Sequence, residues 1–358
     1  MIQNFLFDSE HQQDWQAFFN ALPSGYRDVY FSPEYLSIYE SPSREKKCFV
    51  HKDGEKFFYY PFLAQKVPFL SGYRDMVTPY GYGGPLEIGE DDDFLIEAWS
   101  ALRDWQIQEK IIAELIICHP LLPVLDALQV GYDGCILKMC QTVWVDLKNF
   151  QVEERQEQYT HANRKNINKA LRAGFDVSID RGKFDSKDMV RLYNATMDEN
   201  QAKSFYYFND DYFSQLNHVL GEHAALAVCR YQGQVVSAMA VLLGDVFAHC
   251  HLLGTDKAFR SSGCNNLLHH QLILWAKEQG FSKLHIGGGR TNDPNDPLLK
   301  FKENFSADKA DLFVGERILA PKIYQEVCSL WEQSGADQTY SKRLLKYQYG
   351  HEHHKKIL

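Results

Sequence analysis

The 358-residue sequence lacks several features that would place it in a common class of protein. It has no run of about 18 apolar residues that could form a transmembrane helix. The N-terminal segment MIQNFLFDSEHQQDWQ has neither the basic region nor the apolar region of a signal peptide. The eight cysteines form no Cys-x-x-Cys pair, which argues against a zinc ribbon and a disulfide framework. We therefore expect a reduced, cytoplasmic protein.

Three catalytic motifs are also missing. The sequence contains no G-x-S-x-G elbow, no Walker A loop and no G-x-G-x-x-G that follows a strand, which argues against a serine hydrolase, a P-loop NTPase and a Rossmann dehydrogenase. The net charge of −9 argues against a protein that coats nucleic acid, although a local basic patch remains compatible with RNA binding. His249 and His251 lie in i, i+2 register without an acidic or cysteine partner at familiar spacing, so we predict no metal site.

The amino-acid composition is typical of a globular protein. Hydrophobic residues make up 45% of the chain and charged residues 24%, which is sufficient for a large core. A chain of this length is long for one core, because single cores stop growing at ~250–300 residues. We therefore expect two domains.

A run of three glycines near the C-terminus is the most informative stretch. The apolar segment 284–286 runs into Gly287, Gly288 and Gly289, where the absence of Cβ atoms allows backbone N–H groups to approach a ligand closely. The simpler interpretation is a flexible exit from a strand. We favour a site, because a helix signal follows directly.

Asp296-Pro297 is that helix signal, since Asp caps free N–H groups and Pro suits the first helical position. On the predicted helix, Leu298, Phe301 and Phe305 form one apolar stripe. Lys302 lies one position off this stripe, which places its ammonium at the margin of the core. Most lysines are simply solvated, and that alternative stays open here.

The order of predicted elements occurs twice along the chain. Each half reads as strand, tight glycine turn, strand, loop, helix, strand, which predicts a duplicated α/β domain. We place the boundary near residue 148, with domains at 1–148 and 149–358. A polar helix at 153–173 opens the second half. The predicted segments are strands 48–50, 57–63, 111–118, 142–147, 224–231, 235–243, 245–253, 283–287 and 311–318, and helices 91–109, 263–279 and 321–333.

Three stretches give the chain a family resemblance. Asp296-x-Leu298-x-x-Phe301-Lys302-x-x-Phe305 after the three glycines, PYGYGGP at 79–85 and RKNINKA at 164–170 resemble the FemABX-type acyl and aminoacyl transferases. The likeness covers roughly residues 25–320. It implies two tandem GNAT-like domains that carry mixed sheets flanked by helices. It also implies transfer of an acyl or aminoacyl group onto an amine during cell-envelope synthesis.

The resemblance implies a lysine beside the acyl-transfer centre, so Lys302 with its neighbour Phe301 is the catalytic candidate. A fixed donor at that point would stabilise negative charge on the carbonyl oxygen, together with the backbone of Gly287 to Gly289. No general base is assigned, although Asp256, Tyr206 and Tyr207 are candidates. The resemblance suggests as an alternative that the attacking amine loses its proton to water or to the substrate itself.

The donor candidates are Arg260, Gly263 and Asn265, with the three glycines. GNAT enzymes carry R/Q-x-x-G-x-G/A at this point, and its N–H groups hold the diphosphate of coenzyme A. Asn265 replaces the last small residue, which puts coenzyme A binding in question. An ordinary strand-to-helix turn is the alternative. The donor is acyl-CoA or aminoacyl-tRNA.

The acceptor candidates are Tyr80, Gly81 and Tyr82 in the first half and Lys165 and Lys169 in the second. The two lysines and Arg172 share a helix face, where a phosphate-bearing substrate or tRNA would be attracted, although most such faces are only solvated. The predicted function is acyl or aminoacyl transfer onto an amine of a cell-envelope or glycan precursor. The alternative is a degenerate GNAT pair that binds a nucleotide-sugar or a peptide.

Overall fold

The computed structural model describes residues 2–151, 158–182, 184–203 and 206–350, which divide into two compact units. The first unit contains the described residues up to Tyr26, Tyr30–Met139 and those from Leu312 onward. The second contains Arg27–Val29 and Cys140–Asp311. The division into duplicated domains at residue 148 stays a prediction. The compact units differ from it in that the residues after Leu312 pack with the first half of the chain.

The first unit is built on a mixed sheet. Its elements are β1 (Gln3–Phe7), α1 (Gln12–Ala21), α2 (Pro33–Ser37), β2 (Arg44–Asp53), β3 (Lys56–Lys66), β4 (Arg74–Val77), β5 (Leu86–Ile88), α3 (Asp92–Gln108), β6 (Ile111–Ile117), α4 (Val124–Gly131), the start of β7 (Cys135–Asp146), the end of β13 (Lys309–Ile318) and α10 (Pro321–Gln333). The strand order is β1-β2-β3-β4-β6-β13, with β5 paired to β3. Only β4 and β6 are parallel among these pairs of described strands.

The predicted hairpin of the first unit is confirmed. Strands β2 and β3 pair antiparallel from Asp53 opposite Lys56 outward. Gly54 in the turn has φ of 61°, a conformation that glycine adopts without strain. Helix α3 begins after Asp91, whose carboxylate accepts the N–H of Phe94 at 3.0 Å. This cap fixes the start of the helix.

The last described segment closes a small core in the first unit. Trp331 of α10 is fully buried against Val67, Ile112 and Tyr347. Next to this cluster, Asp75 is completely buried and accepts hydrogen bonds from the Tyr347 hydroxyl and the Gln348 amide, both at 2.8 Å. Burial raises the pKa of the Asp75 carboxyl to about 7, even though these hydrogen bonds act against the increase.

We expect Asp75 to make the stability of the first unit depend on pH. Its pKa is higher in the folded than in the unfolded chain, so its contribution is fully present below about pH 4 and is lost as the pH rises through about 7. The free energy of unfolding should fall by up to ~1.4 kcal/mol per pH unit across that range. Urea denaturation of the wild type and of Asp75→Asn at pH 5 and 7.5 measures the two slopes. An identical slope in the variant would exclude Asp75 as the cause.

The second unit contains the remaining elements. They are α5 (His161–Arg172), β8 (Phe175–Arg181), α6 (Lys187–Glu199), α7 (Asp210–Leu220), β9 (Ala224–Tyr231), β10 (Gln234–Leu243), β11 (Phe247–Thr255), α8 (Cys264–Glu278), β12 (Lys283–Gly288) and α9 (Pro297–Glu303), with the end of β7 and the start of β13. The strand order is β7-β12-β11-β10-β9-β8. Helices α5, α8 and α9 contribute Ile167, Leu268 and Leu299 to one core with these strands.

Most predicted elements of this unit are confirmed, with two differences. The predicted helix at 153–173 is described only from His161, where Thr160 caps it, and residues 152–157 lie outside the described part. In α9 the apolar stripe is shifted, because Leu299 is buried whereas Leu298 and Phe301 are only half-buried. The helix ends at Glu303, so Phe305 lies in the segment after the helix and packs into the core from there. The predicted α/β fold class is confirmed. In the described residues, no helix has the length and apolar character needed to cross a membrane.

Candidate functional site

Strands β11 and β12 start as parallel neighbours and then stop pairing. Their ladder joins Phe247 to Lys283 and ends with His249 opposite His285, although β11 continues to Thr255 and β12 to Gly288. On the other side of β11 the pairing with β10 shifts so that His251 is left out as a bulge. We call the opening after His249 and His285 the strand gap. Beyond these two histidines the ladder between β11 and β12 has no further paired residues in the described part of the chain.

The three glycines continue β12 along the strand gap, and each position leaves little room for a side chain. Gly287 has φ of 86°, and a Cβ atom there would lie 3.1 Å from Nζ of Lys302. A Cβ at Gly288 would lie 2.9 Å from the carbonyl oxygen of Gln141 on β7. A Cβ at Gly289 would meet the Asp296 carboxylate at 2.8 Å. The three glycines therefore bring neighbouring groups closer than any other residue would allow.

Asp296 holds the loop after the glycines and also caps α9. One carboxylate oxygen accepts the N–H groups of Leu298 and Leu299 at 2.8 and 3.1 Å. The other accepts the N–H groups of Arg290 and Thr291, both at 3.1 Å. Burial raises the pKa of Asp296, but these hydrogen bonds outweigh it and hold the pKa below its usual value. Asp296 is therefore an ionised cap rather than a base.

Lys302 reaches from α9 into the strand gap. Its Nζ donates a hydrogen bond of 2.7 Å to the Gly288 carbonyl oxygen. Burial lowers the pKa of Lys302 to about 8, and its electrostatic interactions with Cys250 on β11 and with Asp296 oppose this decrease only in part. An ammonium of this pKa still predominates at neutral pH; it is bonded to β12 at Gly288 and interacts electrostatically with Cys250 of β11.

The backbone at Gly288 fixes the lysine. Its carbonyl oxygen accepts the hydrogen bond of the Lys302 ammonium, and Gly288 itself pairs with Thr142 of β7 as part of strand β12. Gly288 thus positions the lysine. The approach of glycine N–H groups to a ligand stays a prediction.

The predicted donor loop precedes α8. Gly263 has φ of 91°, and a Cβ atom there would lie only 2.4 Å from the carbonyl oxygen of Asn166 on α5. The Asn265 side chain turns towards the strands, because its Oδ1 accepts hydrogen bonds from Ser237 at 2.8 Å and Thr255 at 3.0 Å. The Asn265 side-chain oxygen is thus engaged with Ser237 of β10 and Thr255 of β11.

Arg260, the other predicted donor residue, forms an ion pair with Glu199 of α6. Its charge is therefore partly compensated within the second unit. Lys169 of α5 donates a hydrogen bond of 2.8 Å to the Ser261 carbonyl oxygen, which attaches the basic helix to the donor loop. The structure thus places Lys169, which we predicted as an acceptor residue, against the donor loop.

Lys165, one turn before Lys169 on α5, is also exposed. It borders a depression of about 560 Å³, whose other lining residues are Tyr159, His161, Arg164, Ile167, Asn168 and Arg172. Lys165 has no hydrogen-bond or ion-pair partner among the described residues. No acidic residue occurs between residues 158 and 175 of this net-acidic chain, so the depression is positively charged.

The loop Tyr80-Gly81-Tyr82 belongs to the first unit. Gly81 has φ of 102°, and a Cβ atom there would lie 2.4 Å from the Tyr30 ring. The Tyr80 carbonyl oxygen accepts the Tyr35 hydroxyl at 2.6 Å, and the Tyr82 ring lies 5.3 Å from the Tyr30 ring. Tyr80 and Tyr82 are half-buried, so the loop is held by its own unit while part of each ring stays accessible.

The candidate bases occupy other positions. Asp256 accepts the N–H of Ala258 at 2.9 Å as a cap, and the Tyr207 hydroxyl donates to Asp198 at 2.9 Å. His249 and His251 have separate partners in the second unit, Asp28 and Tyr212, each at 2.7 Å. Tyr206 is exposed. No contact connects these candidates to Lys302 in the described residues.

Sequence reasoning missed three side chains around Lys302. Cys140 on β7 and Cys250 on β11 interact with its charge, and His269 on α8 does the same. They come from separate elements, so only the sheet order and the packing of α8 bring them together. The sole sequence signal was the apolar stripe of α9, which predicted that Lys302 would reach the edge of a core.

Part of the chain matches a known protein family. Residues 161–302, which include the donor loop, the strand gap and Lys302, match the family described as "Acetyltransferase (GNAT) domain". Residues 161–302 form a GNAT domain. No curated protein sequence matches the chain.

Solved structures extend the likeness of this GNAT protein beyond residues 161–302. FemX superposes with a TM-score of 0.69 over 90% of this chain and 99% of its own, at 14% identity. The C-terminal DUF2156 domain of a lysylphosphatidylglycerol synthetase candidate from Agrobacterium fabrum gives a TM-score of 0.57 over 88% and 95%, at 11% identity. L-PGS from Bacillus licheniformis gives 0.52 over 76% and 84%, at 17% identity. The chain therefore has a FemX-like tandem-GNAT fold. The family match of residues 161–302 confirms the predicted acyltransferase class.

Proposed function

We propose that this GNAT protein transfers an acyl or aminoacyl group from an activated donor to the amine of a cell-envelope or glycan precursor. The observation that carries the proposal is the position of the Lys302 ammonium, which lies in the strand gap and is fixed by the Gly288 carbonyl. When an amine attacks an ester or thioester, negative charge develops on the carbonyl oxygen. A fixed cation beside that oxygen lowers the barrier.

Lys302 has the hydrogen-bonding capacity for this role. An ammonium carries three N–H donors, and Gly288 accepts one of them. The other two have no acceptor in the described part of the chain, so they are available to an oxyanion. Because its pKa is about 8, Lys302 is also a stronger acid than an ordinary lysine and can donate a proton to the leaving group.

The donor would lie along the strand gap, with its polar end towards Arg260, Gly263 and Asn265. The N–H groups of the first turn of α8 have no intrahelical acceptor, which is a general feature of helix N-termini and favours phosphate binding. Coenzyme A thioesters are the donors that the GNAT family description favours. Aminoacyl-tRNA is the alternative donor, and Lys165 with the positive depression of α5 would then meet its phosphates.

The proposed acceptor residues are Tyr80, Gly81 and Tyr82 in the first unit, with Lys165 and Lys169 in the second. The half-buried phenol rings provide a flat surface and hydroxyl groups for a sugar or peptide, while the glycine keeps the loop rigid. Lys169 is attached to the donor loop through Ser261, so its contribution would be to keep α5 and that loop together.

A comparison of donors tests the proposal. We expect coenzyme A to raise the melting temperature and acyl-CoA thioesters to support transfer to small amine acceptors. Charged tRNA should support transfer only if it is the true donor, and its KM would then rise steeply with salt. Lys165→Ala combined with Arg172→Ala separates the two cases, because it should raise the KM for tRNA about tenfold and leave the KM for thioesters unchanged.

The matched control is Lys187→Ala, which removes an exposed lysine from α6, away from the positive depression. It should leave both KM values unchanged. Transfer from neither donor, together with binding of a nucleotide-sugar or peptide, would overturn the proposal in favour of a binding protein.

A further inference from the structure

His269 is a buried residue that packs against Phe301 of α9, the helix that carries Lys302. It belongs to α8, and only 2% of its surface is exposed. Its ring packs against Phe301 at 5.3 Å and Phe305 at 5.1 Å, the two aromatic residues on either side of Lys302 in the sequence. These two rings hold the imidazole in one orientation next to the segment that contains the lysine.

One hydrogen bond defines the state of this imidazole. Nδ1 of His269 lies 2.8 Å from the carbonyl oxygen of Asn265, one turn earlier in α8. A carbonyl oxygen only accepts, so Nδ1 carries the proton. In the neutral ring Nε2 then holds the lone pair, and no described residue donates a hydrogen bond to it.

The ring is neutral under ordinary conditions. Burial lowers the pKa of His269 to about 4; the hydrogen bond to Asn265 opposes this, and the charge of Lys302 lowers the pKa further. The site therefore combines a protonated lysine and an unprotonated histidine in electrostatic contact. Such a pair has a proton donor and a proton acceptor ready at the same time.

We propose that Nε2 of His269 accepts the proton of the attacking amine while Lys302 donates a proton to the leaving group. This inference depends on the proposed transferase function. The amine nitrogen forms a bond to the acyl carbon, and the bond from that carbon to the sulfur or oxygen of the leaving group breaks. The amine proton goes to Nε2, and a Lys302 proton goes to the leaving group, so that an amide and a free thiol or alcohol result.

The pair also balances charge during this step. The site carries one positive charge before the reaction, on Lys302, and one after it, on His269. Loss of the Lys302 proton removes the charge that disfavours an imidazolium, so each transfer makes the other easier. Return of the proton from His269 to Lys302, directly or through solvent, restores the starting state.

The inference can be tested without substrate by NMR of protein labelled with ¹⁵N in histidine. We expect the His269 ring to be protonated at Nδ1 alone at pH 7, and its pKa to rise when Lys302 is replaced by Met. A ring protonated at Nε2, or a pKa that does not respond to the Lys302→Met change, would overturn the pairing. This measurement holds even if the wild type transfers no group at all, which would contradict only the proposed function.

Enzyme kinetics provide a second test of the role of His269. His269→Asn keeps an N–H near the Asn265 carbonyl but lacks Nε2, and we expect kcat to fall about 100-fold with the donor KM unchanged. In His269→Gly, added imidazole should restore about tenfold of the lost rate, which a purely structural role would not produce. His270→Asn, the adjacent buried histidine, is the matched control and should keep kcat within about threefold. Normal kcat in His269→Asn, or no rescue by imidazole, would overturn the proposal.

Discussion

Lys302→Ala is expected to lower kcat about 10²–10³-fold, the usual effect of removing one preorganised donor to an oxyanion. The variant removes the ammonium that Gly288 fixes in the strand gap and leaves α9 with its Asp296 cap intact. Because alanine favours helix and the lysine is only half-buried, the fold should be retained. Steady-state kinetics at saturating donor, with circular dichroism and thermal melting, measure both quantities.

Lys300→Ala is the matched control, since Lys300 lies on the same helix but is exposed and paired with Glu303 at 2.8 Å. It should keep kcat within about twofold, because exposed ion pairs contribute little. If Lys302→Ala also kept near-normal turnover, Lys302 would have no place in the mechanism. If Lys302→Ala lost structure as well as activity, the kinetic measurement would be repeated with Lys302→Met, which preserves the length of the side chain.

The pH dependence follows from the same lysine. Its pKa is depressed to about 8, so the ammonium is present at pH 7 and is lost as the pH rises through about 8. At saturating acceptor, kcat should therefore decline above that pH, and the residual activity of Lys302→Ala should not. A rate that keeps rising to pH 10 in the wild type would show that the charged form is not needed.

Gly263→Ala is expected to cause the second large effect, a loss of ~2–5 kcal/mol in the free energy of unfolding together with loss of donor binding. The left-handed backbone there costs ~1–2 kcal/mol for a residue other than glycine. The added methyl would lie 2.4 Å from the Asn166 carbonyl, and such overpacking costs ~1–3 kcal/mol more. Urea denaturation gives the first quantity, and protection by coenzyme A gives the second.

Gly280→Ala isolates the contribution of the close contact. Gly280 has φ of 85°, similar to Gly263, but a Cβ atom there would meet no other atom within 4 Å. Its replacement should therefore cost only the ~1–2 kcal/mol of backbone strain. Equal losses in the two variants would show that the contact between the donor loop and α5 has no energetic importance.

The sequence predicted local features of the fold and of this site well, because they depend on short-range chemistry. The Asp296 cap, the start of α9 at Pro297 and the glycine turn at Gly54 each follow from the residues that form them. The half-buried position of Lys302 was also predicted, although the buried face of α9 is centred on Leu299 and not on the predicted stripe.

The features that the sequence did not predict depend on the arrangement of strands and helices. The strand gap arises because β12, late in the chain, pairs with both β11 and β7 and separates from β11 after His285. Contact of His269 with Phe301 requires the packing of α8 against α9, which no spacing encodes. The residues after Leu312 join the first unit through β6 and β13, a pairing of distant segments.

The double hydrogen bonding of Asp296 has a consequence for how ligands are received. One carboxylate holds four backbone N–H groups, two in the loop and two in the helix, so the segment between Gly289 and Leu299 is ordered by the fold itself. Little conformational entropy then remains to be lost when a substrate arrives. A substrate should therefore bind to a largely preorganised segment here, and its affinity should depend on complementarity of shape and charge.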